Sequence, residues 1–577
     1  MKARTVAVRP VLPVVIAVEV IALVAFATLT PTRFGWWPAA AVTAAALVLL
    51  MGRVHRRNAA TWVRDRIRSR ATRTAVVRAG AAVDLPLGSS MCGVRVEPDE
   101  AITMVDVAGR AYAPTFLRGS TVSRTVNVLP LRVLVDALDQ PGGLRLAGID
   151  VVSAGHRVRR GTDYPALYST LLADRPAAGA RSTRLIVRLD LHDSVEGVVY
   201  RQSIGSAAAA ATDRILTALR QEGVRCTALT AAELDAALDE LSVGLASAPV
   251  PPAPEDTVAE DPESTASVNA ARTSAPAVRP ELVTTVPRRG PATQVKWRTV
   301  DGRPGHLTSY YFSPEDITTA SLHQMWALRS DAVVHTISLR KDRSGDPEVG
   351  GKVLVSALVR TDDPQVPQQP PTLYLNPLPG AQGMAVLRTA PMSRPKLKLP
   401  ALTLTDPDAL EIPIGPTGIL VGAALADDPA ARPEVQRDDL VMVALTDPHR
   451  ATRIVMDTSE FYVRQLVIRA AAAGERIAIY SQRPDRWMSV AQPNVAVVQR
   501  GRRAEFVPTI VVNDHPTNPP SAGLASTVIT AARGGNADPN PDLRFVQTSK
   551  TTVRITSAER TLDVGIIAFR QEQAWTR

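Results

Sequence analysis

Two apolar runs near the amino terminus constrain this chain more than any other feature of its sequence. The first covers residues 11–30 (VLPVVIAVEVIALVAFATLT), and the second covers residues 34–51 (FGWWPAAAVTAAALVLLM) after a short link. A helix of about 20 residues crosses the roughly 30 Å hydrocarbon core of a bilayer. The runs therefore predict a transmembrane hairpin over residues 1–52, with Trp36 and Trp37 at the membrane interface.

A cleaved signal peptide is the alternative interpretation of the first run. Such a leader has a shorter apolar core and a small-residue cleavage site. The first run is too long for that core, and a second apolar run follows it directly. The hairpin is the favoured interpretation.

Basic residues flank the hairpin unequally and predict its orientation. Nine arginines lie between residues 53 and 78, against the single acid Asp65, whereas the link between the runs carries only Arg33. Basic residues favour the cytoplasmic side of a membrane. We expect a bacterial inner-membrane protein with two spans, both termini in the cytoplasm and a cytoplasmic soluble portion.

The basic juxtamembrane segment, residues 53–82, is the first candidate site. Its position beside a membrane span favours contact with anionic lipid headgroups, and no nucleic-acid partner is expected. Trp62, Val63 and Ile67 would form an apolar stripe on a helix that lies on the membrane surface. The predicted lipid contacts are Arg53, Arg56, Arg57, Arg64, Arg66, Arg68 and Arg70.

Glu19, near the middle of the first run, is the second candidate site. A carboxylate inside a bilayer is unfavourable and is by default a functional feature. The second run supplies no other ionisable group, so a proton pathway is not indicated. We expect an intramembrane contact with a partner subunit; a protonated or locally hydrated side chain is the alternative.

The rest of the chain has the composition of folded α/β domains. Apolar residues make up 45% of the 577 residues, and the net charge of +10 indicates an anionic partner such as lipid. Cys92 and Cys226 lack CxxC spacing, which favours reduced, packed thiols over a disulfide or a zinc site.

Periodicity divides the soluble portion into two α/β regions. Residues 83–246 contain an alternating strand, RLIVRLDL, with Leu185, Val187 and Leu189 buried and Arg188 on the opposite, outer face. Next come a helix capped by Ser206 and a second helix opened by a T-x-x-E capping box at Thr230.

A segment rich in Pro, Ala, Ser and Thr, residues 247–293, is predicted as a flexible linker. Residues 294–577 form the second region, where helices and short strands alternate as in βαβ units. Its first helix is predicted to open at SPEDI with Ser313 as the cap and to bury Leu322, Met325 and Trp326.

Three short motifs invite chemical interpretations that their context does not favour. Residues 345–352 (GDPEVGGK) resemble a phosphate loop with the wrong spacing, so a hairpin turn is predicted. Asp406 and Asp408 could hold a metal as a D-x-D pair but are more typical of a turn. Residues 513–515 follow a strand and are interpreted as a surface loop. No catalytic, cofactor-binding or metal-binding residue is predicted.

The order of these segments resembles the EccE family. The resemblance rests on the hairpin, its basic exit, RLIVRLDL with VVYRQSIGSAAAAATDRILTALRQEGVRCTALTAAELDAAL, and HLTSYYFSPEDITTASLHQMW, which together cover residues 1–340 apart from the linker. EccE is a membrane subunit of the type VII (ESX) secretion system of mycobacteria and related actinobacteria. The resemblance implies a large hetero-oligomer with EccB, EccC and EccD. It also implies a cytoplasmic fold similar to that of glycosyltransferases, without established catalysis.

The resemblance implies a non-catalytic structural subunit that supports assembly or stability of the secretion complex, with no cofactor. Two alternatives remain open. A membrane-anchored glycosyltransferase-like enzyme would bind nucleotide sugar and metal. An electrostatic membrane tether or adaptor would purify as a monomer.

Overall fold

A computed structural model of the chain describes the residues from which the fold is built. These are residues 6–8, 12–30, 36–54, 57–58, 66, 76–159, 163–201, 203–248, 293–302, 305–343, 351–425, 435–499, 502–514, 526–531 and 540–576. The predicted linker therefore lies outside the described residues, except at its two ends.

The described residues form helices and strands throughout. The α-helices are α1 Leu12–Leu29, α2 Trp37–Met51, α3 Leu131–Asp136, α4 Asp163–Leu171, α5 Val195–Val199, α6 Ile204–Gln221, α7 Ala231–Ser242, α8 Thr319–Gln324, α9 Gln382–Arg388, α10 Glu460–Ala473 and α11 Gln573–Thr576. Single 3₁₀ turns or short 3₁₀ helices occupy Pro314–Asp316, Met325–Ala327, Pro407–Ala409, Pro484–Val490 and Arg570–Glu572.

The strands before the predicted linker are β1 Val6–Val8, β2 Gly52–Val54, β3 Arg57–Asn58, β4 Val77–Arg78, β5 Ala82–Leu87, β6 Ser90–Val96, β7 Glu100–Ala108, β8 Thr115–Arg118, β9 Val122–Thr125, β10 Asp139–Gln140, β11 Leu144–His156, β12 Ala180–Asp190, β13 Arg225–Ala228 and β14 Ala246–Ser247. Those after it are β15 Gln294–Val295, β16 Val300–Asp301, β17 His306–Phe312, β18 Ala332–Lys341, β19 Val353–Asp363, β20 Leu375–Pro377, β21 Leu402–Leu404, β22 Ile419–Leu425, β23 Val435–Val443, β24 Thr452–Asp457, β25 Ile477–Ser481, β26 Val495–Val498, β27 Ile510–Asp514, β28 Thr527–Ala531, β29 Leu543–Gln547, β30 Thr552–Ser557 and β31 Thr561–Gly565.

Helices α1 and α2 pack against each other at the amino-terminal end. Their buried side chains are Val18 and Ala25 on α1 and Ala39 and Ala46 on α2, a spacing of seven residues that keeps each pair on one helix face. Strand β1 pairs with β2 in antiparallel fashion, and β2 pairs with β3. Across the described residues, no helix combines the length and the apolarity needed to cross a membrane.

An antiparallel sheet of 14 strands forms the first half of the body that the described residues build. Its main path runs β15-β16-β17-β19-β18-β11-β12-β7-β6-β5. In its centre, Val151 of β11 lies between Leu185 of β12 and Ile337 of β18. Strands from before and after the predicted linker are therefore neighbours in the centre of one sheet.

A mixed sheet of 12 strands forms the second half of this body, in the order β26-β25-β27-β28-β24-β29-β30-β31-β22-β23-β8-β9. Six neighbouring strands of this sheet, β26, β25, β27, β28, β24 and β29, pair in parallel, as the predicted βαβ units require. Strands β24 and β25, joined by α10, form one such unit. The remaining strands are antiparallel, and the hairpin β8–β9 comes from the first half of the chain.

The two sheets do not coincide with the two predicted regions. Residues 83–246 contribute strands to both sheets, and so do residues 294–577. The division at residues 247–293 follows a change in composition, whereas sheet membership depends on pairing between distant strands. The mixed α/β class is confirmed.

Both faces of the antiparallel sheet are covered by helices. Side chains of α3 and α6 pack on one face and those of α7 pack on the other. Leu185, Val187 and Leu189 of β12 lie in the first core as predicted, and Ile186 lies in the second. The expectation of an outer face at Arg188 is wrong, because this side chain is fully buried.

Local capping was predicted well at one helix and less well at two others. The capping box of Thr230 and Glu233 opens α7 as expected. Helix α6 begins earlier than predicted, with Ser203 as its cap, because the Ser203 hydroxyl accepts a hydrogen bond from the Ser206 amide. The SPEDI segment forms only a 3₁₀ turn, and Thr318 caps the short α8.

Candidate functional site

A cavity of about 690 Å³ lies where the end of the antiparallel sheet meets the mixed sheet. We call it the intersheet cavity. Strands β7, β11, β12, β13, β18 and β19 contribute lining residues on one side, together with the end of α7. Residues 415–419, residues 444–449 and the end of α10 line the other side. Its size is within the range of small-molecule sites, which are common at such junctions.

One cross-strand row of residues forms part of the cavity lining. Ser182 of β12 is paired with Ala154 of β11, Ala154 with Val334 of β18, and Val334 with Arg360 of β19. Residues paired in this way share a sheet face. The small side chains of Ser182 and Ala154 leave space beside the arginine at the end of the row.

Ion pairs link charged groups around the cavity. Their nitrogen–oxygen distances are 2.7 Å for Arg225–Asp447, 3.3 Å for His449–Asp106 and 2.8 Å for Arg184–Glu240. The hydrogen bond to Asp106, opposed by partial burial, raises the pKa of His449 above its ordinary value. Two of these pairs, Arg225–Asp447 and His449–Asp106, also join the two sheets.

Further contacts hold the two sheets together beside the cavity. The ring nitrogen Nε2 of His156 donates to the carbonyl of Ala473 at 2.9 Å. The amide of Thr417 donates to the carbonyl of Ala178 at 2.9 Å. One contact is made by a side chain and the other joins two backbone groups, and both connect opposite walls of the cavity.

Arg360 and Arg181 are the buried arginines of the cavity lining that have no ion-pair partner among the described residues. Arg181 instead donates to the Gly415 carbonyl and lies over the ring of Trp326. Arg360 has no such aromatic contact among the described residues. Its side chain is 5% exposed, and no carboxylate among the described residues lies within 4 Å of it. Its Nη1 atom donates to the Leu241 carbonyl at 2.5 Å and to the Thr389 hydroxyl at 3.4 Å. Burial lowers the pKa of Arg360 to about 10, against the weaker opposing influence of Asp362 and Glu240.

The predicted lipid contacts are only partly within the described residues. Arg53 lies in β2 and Arg57 in β3, next to the α1–α2 pair. The guanidinium of Arg66 lies over the ring of Trp297, 4.9 Å from its centre, as in a cation–π contact. Arg56, Arg64, Arg68 and Arg70 lie outside the described residues.

Glu19 is exposed on α1, next to the buried Val18 that faces α2. The α1–α2 pairing therefore leaves this carboxylate accessible from outside the helix pair.

The described residues around two of the three motifs agree with the predicted turns. Lys341 of β18 pairs with Val353 of β19, so these two strands form an antiparallel hairpin on either side of the phosphate-loop-like segment. Residues 345–350 of that segment lie outside the described residues. The Asp406 carboxylate accepts a hydrogen bond from the Asp408 amide at 3.0 Å, and Asp408 pairs with Arg132. Asp406 and Asp408 thus stabilise a 3₁₀ turn.

The third motif was only partly predicted. Asn513 is buried, and Asp514 accepts hydrogen bonds from Ser481 at 2.7 Å and from the Trp487 indole at 3.0 Å. The expectation of a surface loop is therefore wrong for these two residues, which end β27. His515 lies outside the described residues.

Both cysteines are buried free thiols, as predicted. Burial raises the pKa of Cys92 to about 12 and also raises that of Cys226. Neither thiol is therefore ionised at neutral pH, which is typical of packing residues.

Sequence reasoning missed the residues of the intersheet cavity. They come from segments that are far apart in the chain, with Asp106, Arg225, Arg360 and His449 as examples. No short spacing joins them, and only the pairing of strands brings them together.

Comparison with known proteins finds similarity to one family. The EccE family, described as a type VII ESX secretion system translocon, matches residues 177–312. The ESX-2 secretion system protein EccE2 of Mycobacterium tuberculosis (strain CDC 1551 / Oshkosh) is 26% identical over 510 residues, which cover 84% of this chain and 82% of the relative. The chain is similar to EccE proteins of type VII secretion systems over most of its length. The resemblance expected from the sequence is confirmed.

Two further EccE relatives are similar over shorter stretches. The ESX-5 secretion system protein EccE5 of Mycobacterium tuberculosis (strain ATCC 25618 / H37Rv) is 28% identical over 404 residues, which cover 66% of this chain and 86% of the relative. EccE5 of Mycobacterium marinum (strain ATCC BAA-535 / M) is 27% identical over 347 residues, which cover 57% of this chain and 72% of the relative. The similarity to EccE2 covers more of the chain than residues 1–340 contain, so it extends beyond the part from which the resemblance was recognised.

Proposed function

We propose that this chain is a non-catalytic structural subunit of the inner-membrane type VII (ESX) secretion complex and supports its assembly or stability. The observation that carries the proposal is the similarity to proteins named as ESX-2 and ESX-5 secretion system proteins. These relatives are named as secretion components and not as enzymes. The proposed partners are the other membrane subunits EccB, EccC and EccD, together with anionic lipid.

The proposed anchor is the helix pair α1–α2, inserted as a two-span hairpin with both termini in the cytoplasm. The apolar runs support this anchor, and so does the surface of α1. Large apolar side chains on that surface are exposed, including Ile16, Val20, Leu23, Val24 and Phe26. Such a surface is stable when lipid covers it, and the small residues between α1 and α2 suit close helix packing in a bilayer.

Glu19 is the proposed docking point within the membrane. Insertion scales assign a central charged residue roughly 2.5–3.5 kcal/mol of unfavourable free energy. Because Glu19 is exposed on the helix pair, a polar group of a partner subunit could offset this free energy. The arginine-rich segment would add attraction to the anionic membrane surface.

The proposed orientation predicts an inactive periplasmic reporter on the carboxyl side of the hairpin. Alkaline phosphatase fused after Arg78 is expected to be inactive, because the basic exit stays in the cytoplasm. A fusion in the link at residues 31–35 serves as the positive control. Strong phosphatase activity of the Arg78 fusion would contradict the orientation.

Glu19→Leu is expected to preserve membrane insertion and to reduce recovery of the partner subunits several-fold after detergent extraction. Replacing Arg64, Arg66, Arg68 and Arg70 with Gln is expected to reduce recovery further, and more strongly at high salt. Val20→Leu, a neighbouring exposed substitution without a charge change, is the matched control. Wild-type yield of the whole complex from both altered proteins would place docking elsewhere, and failure of the wild-type chain to recover any type VII subunit would refute the proposed function.

A further inference from the structure

Three buried arginines outside the intersheet cavity, Arg188, Arg469 and Arg157, each have several hydrogen-bond or ion-pair partners. Arg188 and Arg469 are fully buried, and each has a carboxylate oxygen within 2.8 Å. Arg157 has no such carboxylate but donates to the carbonyls of Ala327, Ser169 and Ala173. A buried cation without these partners is unfavourable, because burial removes its hydration.

Arg360 has fewer partners than these arginines. Both of its hydrogen bonds are made by Nη1 and go to neutral oxygens. Neither its Nε nor its Nη2 atom donates a hydrogen bond to the described residues. The planar guanidinium group therefore retains donors for a further acceptor at a position that lines the intersheet cavity.

Three acidic side chains around the cavity are already used by other groups. Asp106 pairs with His449, and Glu240 pairs with Arg184. Glu475 accepts hydrogen bonds from the hydroxyls of Thr446 and Thr509. These carboxylates hold the cavity walls together and make no ion pair with Arg360, although the charges of Asp362, another lining residue, and Glu240 act on it over a longer distance.

The lining offers space and apolar surface as well as charge. Leu307, Val334 and Ile419 line the cavity together with the ring of Tyr112. A volume of about 690 Å³ accommodates a molecule of nucleotide size. An anionic oxygen group would match the donor geometry of the guanidinium, and an apolar or aromatic body would match the remaining wall.

We propose that the intersheet cavity is a binding site for a small organic anion, with Arg360 as the residue that recognises its phosphate or carboxylate group. The site is separate from the α1–α2 anchor and does not depend on the proposed role in secretion. Binding at this junction would stabilise the contact between the two sheets, because both sheets line the cavity.

Thermal unfolding of the full-length protein in mild detergent tests the proposal with two matched pairs of probes. AMP is compared with uncharged adenosine, and benzoate with uncharged benzamide. A bound ligand stabilises the folded state by mass action, so the charged member of at least one pair is expected to raise Tm by roughly 2–4 °C. A shift with AMP alone assigns a phosphate, and a shift with benzoate alone assigns a carboxylate.

Arg360→Met and Ala154→Leu separate recognition from folding. Arg360→Met keeps an apolar stem and removes the charge. The Tm of the ligand-free variant should therefore equal or exceed that of the wild type, and the Tm shift caused by the charged probe should disappear. Ala154→Leu narrows the space in the same cross-strand row without changing any charge and should weaken binding at least tenfold. Arg132→Met, at an exposed arginine outside the cavity, is the control and should keep the wild-type shift.

The proposal fails if neither charged probe shifts Tm at 10 mM, chosen as roughly ten times a weak millimolar Kd. It also fails if Arg360→Met keeps the wild-type shift, or if uncharged probes shift Tm as much as charged ones. A fall in the Tm of ligand-free Arg360→Met would assign Arg360 a structural role instead.

Discussion

Glu572→Gln is expected to lower the free energy of unfolding by about 3–5 kcal/mol, because it leaves a buried arginine without its counter-charge. Glu572 is the last residue of the 3₁₀ turn Arg570–Glu572, directly before α11, and is 1% exposed. Its carboxylate accepts hydrogen bonds from Arg469 Nε at 2.9 Å and Nη2 at 2.8 Å. Tyr164 and Gln465 donate to the same carboxylate at 2.6 and 2.8 Å.

This network ties three segments of the mixed-sheet core together. Arg469 and Gln465 belong to α10, Tyr164 belongs to α4, and Glu572 follows the last strand. Arg469 also donates to the carbonyls of Leu420 and Ile567, so it remains buried when the carboxylate is removed. The unpaired charge is the reason for the large expected effect.

Urea unfolding of the full-length protein measures this prediction. Glu559→Gln, at an exposed glutamate, is the matched control and should leave the midpoint nearly unchanged. The double variant Arg469→Met with Glu572→Leu should recover much of the lost stability, since no buried charge then remains. An unchanged midpoint for Glu572→Gln would contradict the prediction.

The stabilisation from Glu572 should also depend on pH in a defined direction. Burial would raise the pKa of Glu572, but the charge and hydrogen bonds of Arg469 outweigh burial, and the pKa is lowered. The folded state therefore binds this proton less readily than the unfolded state does. The stabilisation is present above the ordinary glutamate pKa of about 4.3 and is lost as the pH falls through the lowered value.

Arg188→Met is expected to reduce the free energy of unfolding by a similar amount, about 3–5 kcal/mol. Arg188 lies in the centre of the antiparallel sheet, with Nε 2.7 Å from Asp150 and Nη1 3.1 Å from Glu100. It also donates to the carbonyls of Met392 and Ala390, which connects the sheet to the segment after α9. The substitution removes four hydrogen bonds and leaves Asp150 fully buried.

Among the described residues, Asp150 would keep one ion pair after this substitution, with Arg394 at 3.4 Å. Burial would raise the pKa of Asp150, but the charges of Arg394, Arg188 and Arg388 outweigh it and hold the pKa well below its usual range. Removing Arg188 should shift that pKa upward. Destabilisation on acidification should therefore begin at a higher pH in Arg188→Met than in the wild type.

Arg554→Met is the matched control for this second prediction. Arg554 pairs with Asp563 at 2.8 Å, a distance close to that of the buried pair, but both side chains are exposed. Solvent screens such a pair, and its loss should leave the unfolding midpoint nearly unchanged. Equal effects of Arg188→Met and Arg554→Met would contradict the role assigned to burial.

Local patterns in the sequence were sufficient to recognise the similarity to EccE proteins and to predict the mixed α/β class. They also predicted many of the helices and strands. The strand around Leu185, the helix near Ser206 and the capping box at Thr230 were all predicted, and each is present. Alternation and capping arise between residues within about four positions of each other. Such short-range interactions are visible in a single sequence.

Burial and charge pairing in the centre of the sheets could not be read from the same patterns. Arg188 has the position of an outward-facing residue in an alternating strand, yet α7 and the segment after α9 cover that face. An arginine next to leucines predicts solvent exposure unless its distant partner Asp150 is known. The sequence shows that both charged residues are present, but it does not show that their strands pair.

The intersheet cavity shows the same limit at a candidate site. The order of the segments was enough to recognise the similarity to EccE proteins and to predict the apolar hairpin. Arg360 lines the cavity because strand pairing aligns residues 182, 154, 334 and 360 in one row, although the predicted linker separates the first two from the last two in the chain. Those pairings depend on contacts between residues far apart in the chain, which periodicity over a few positions does not contain.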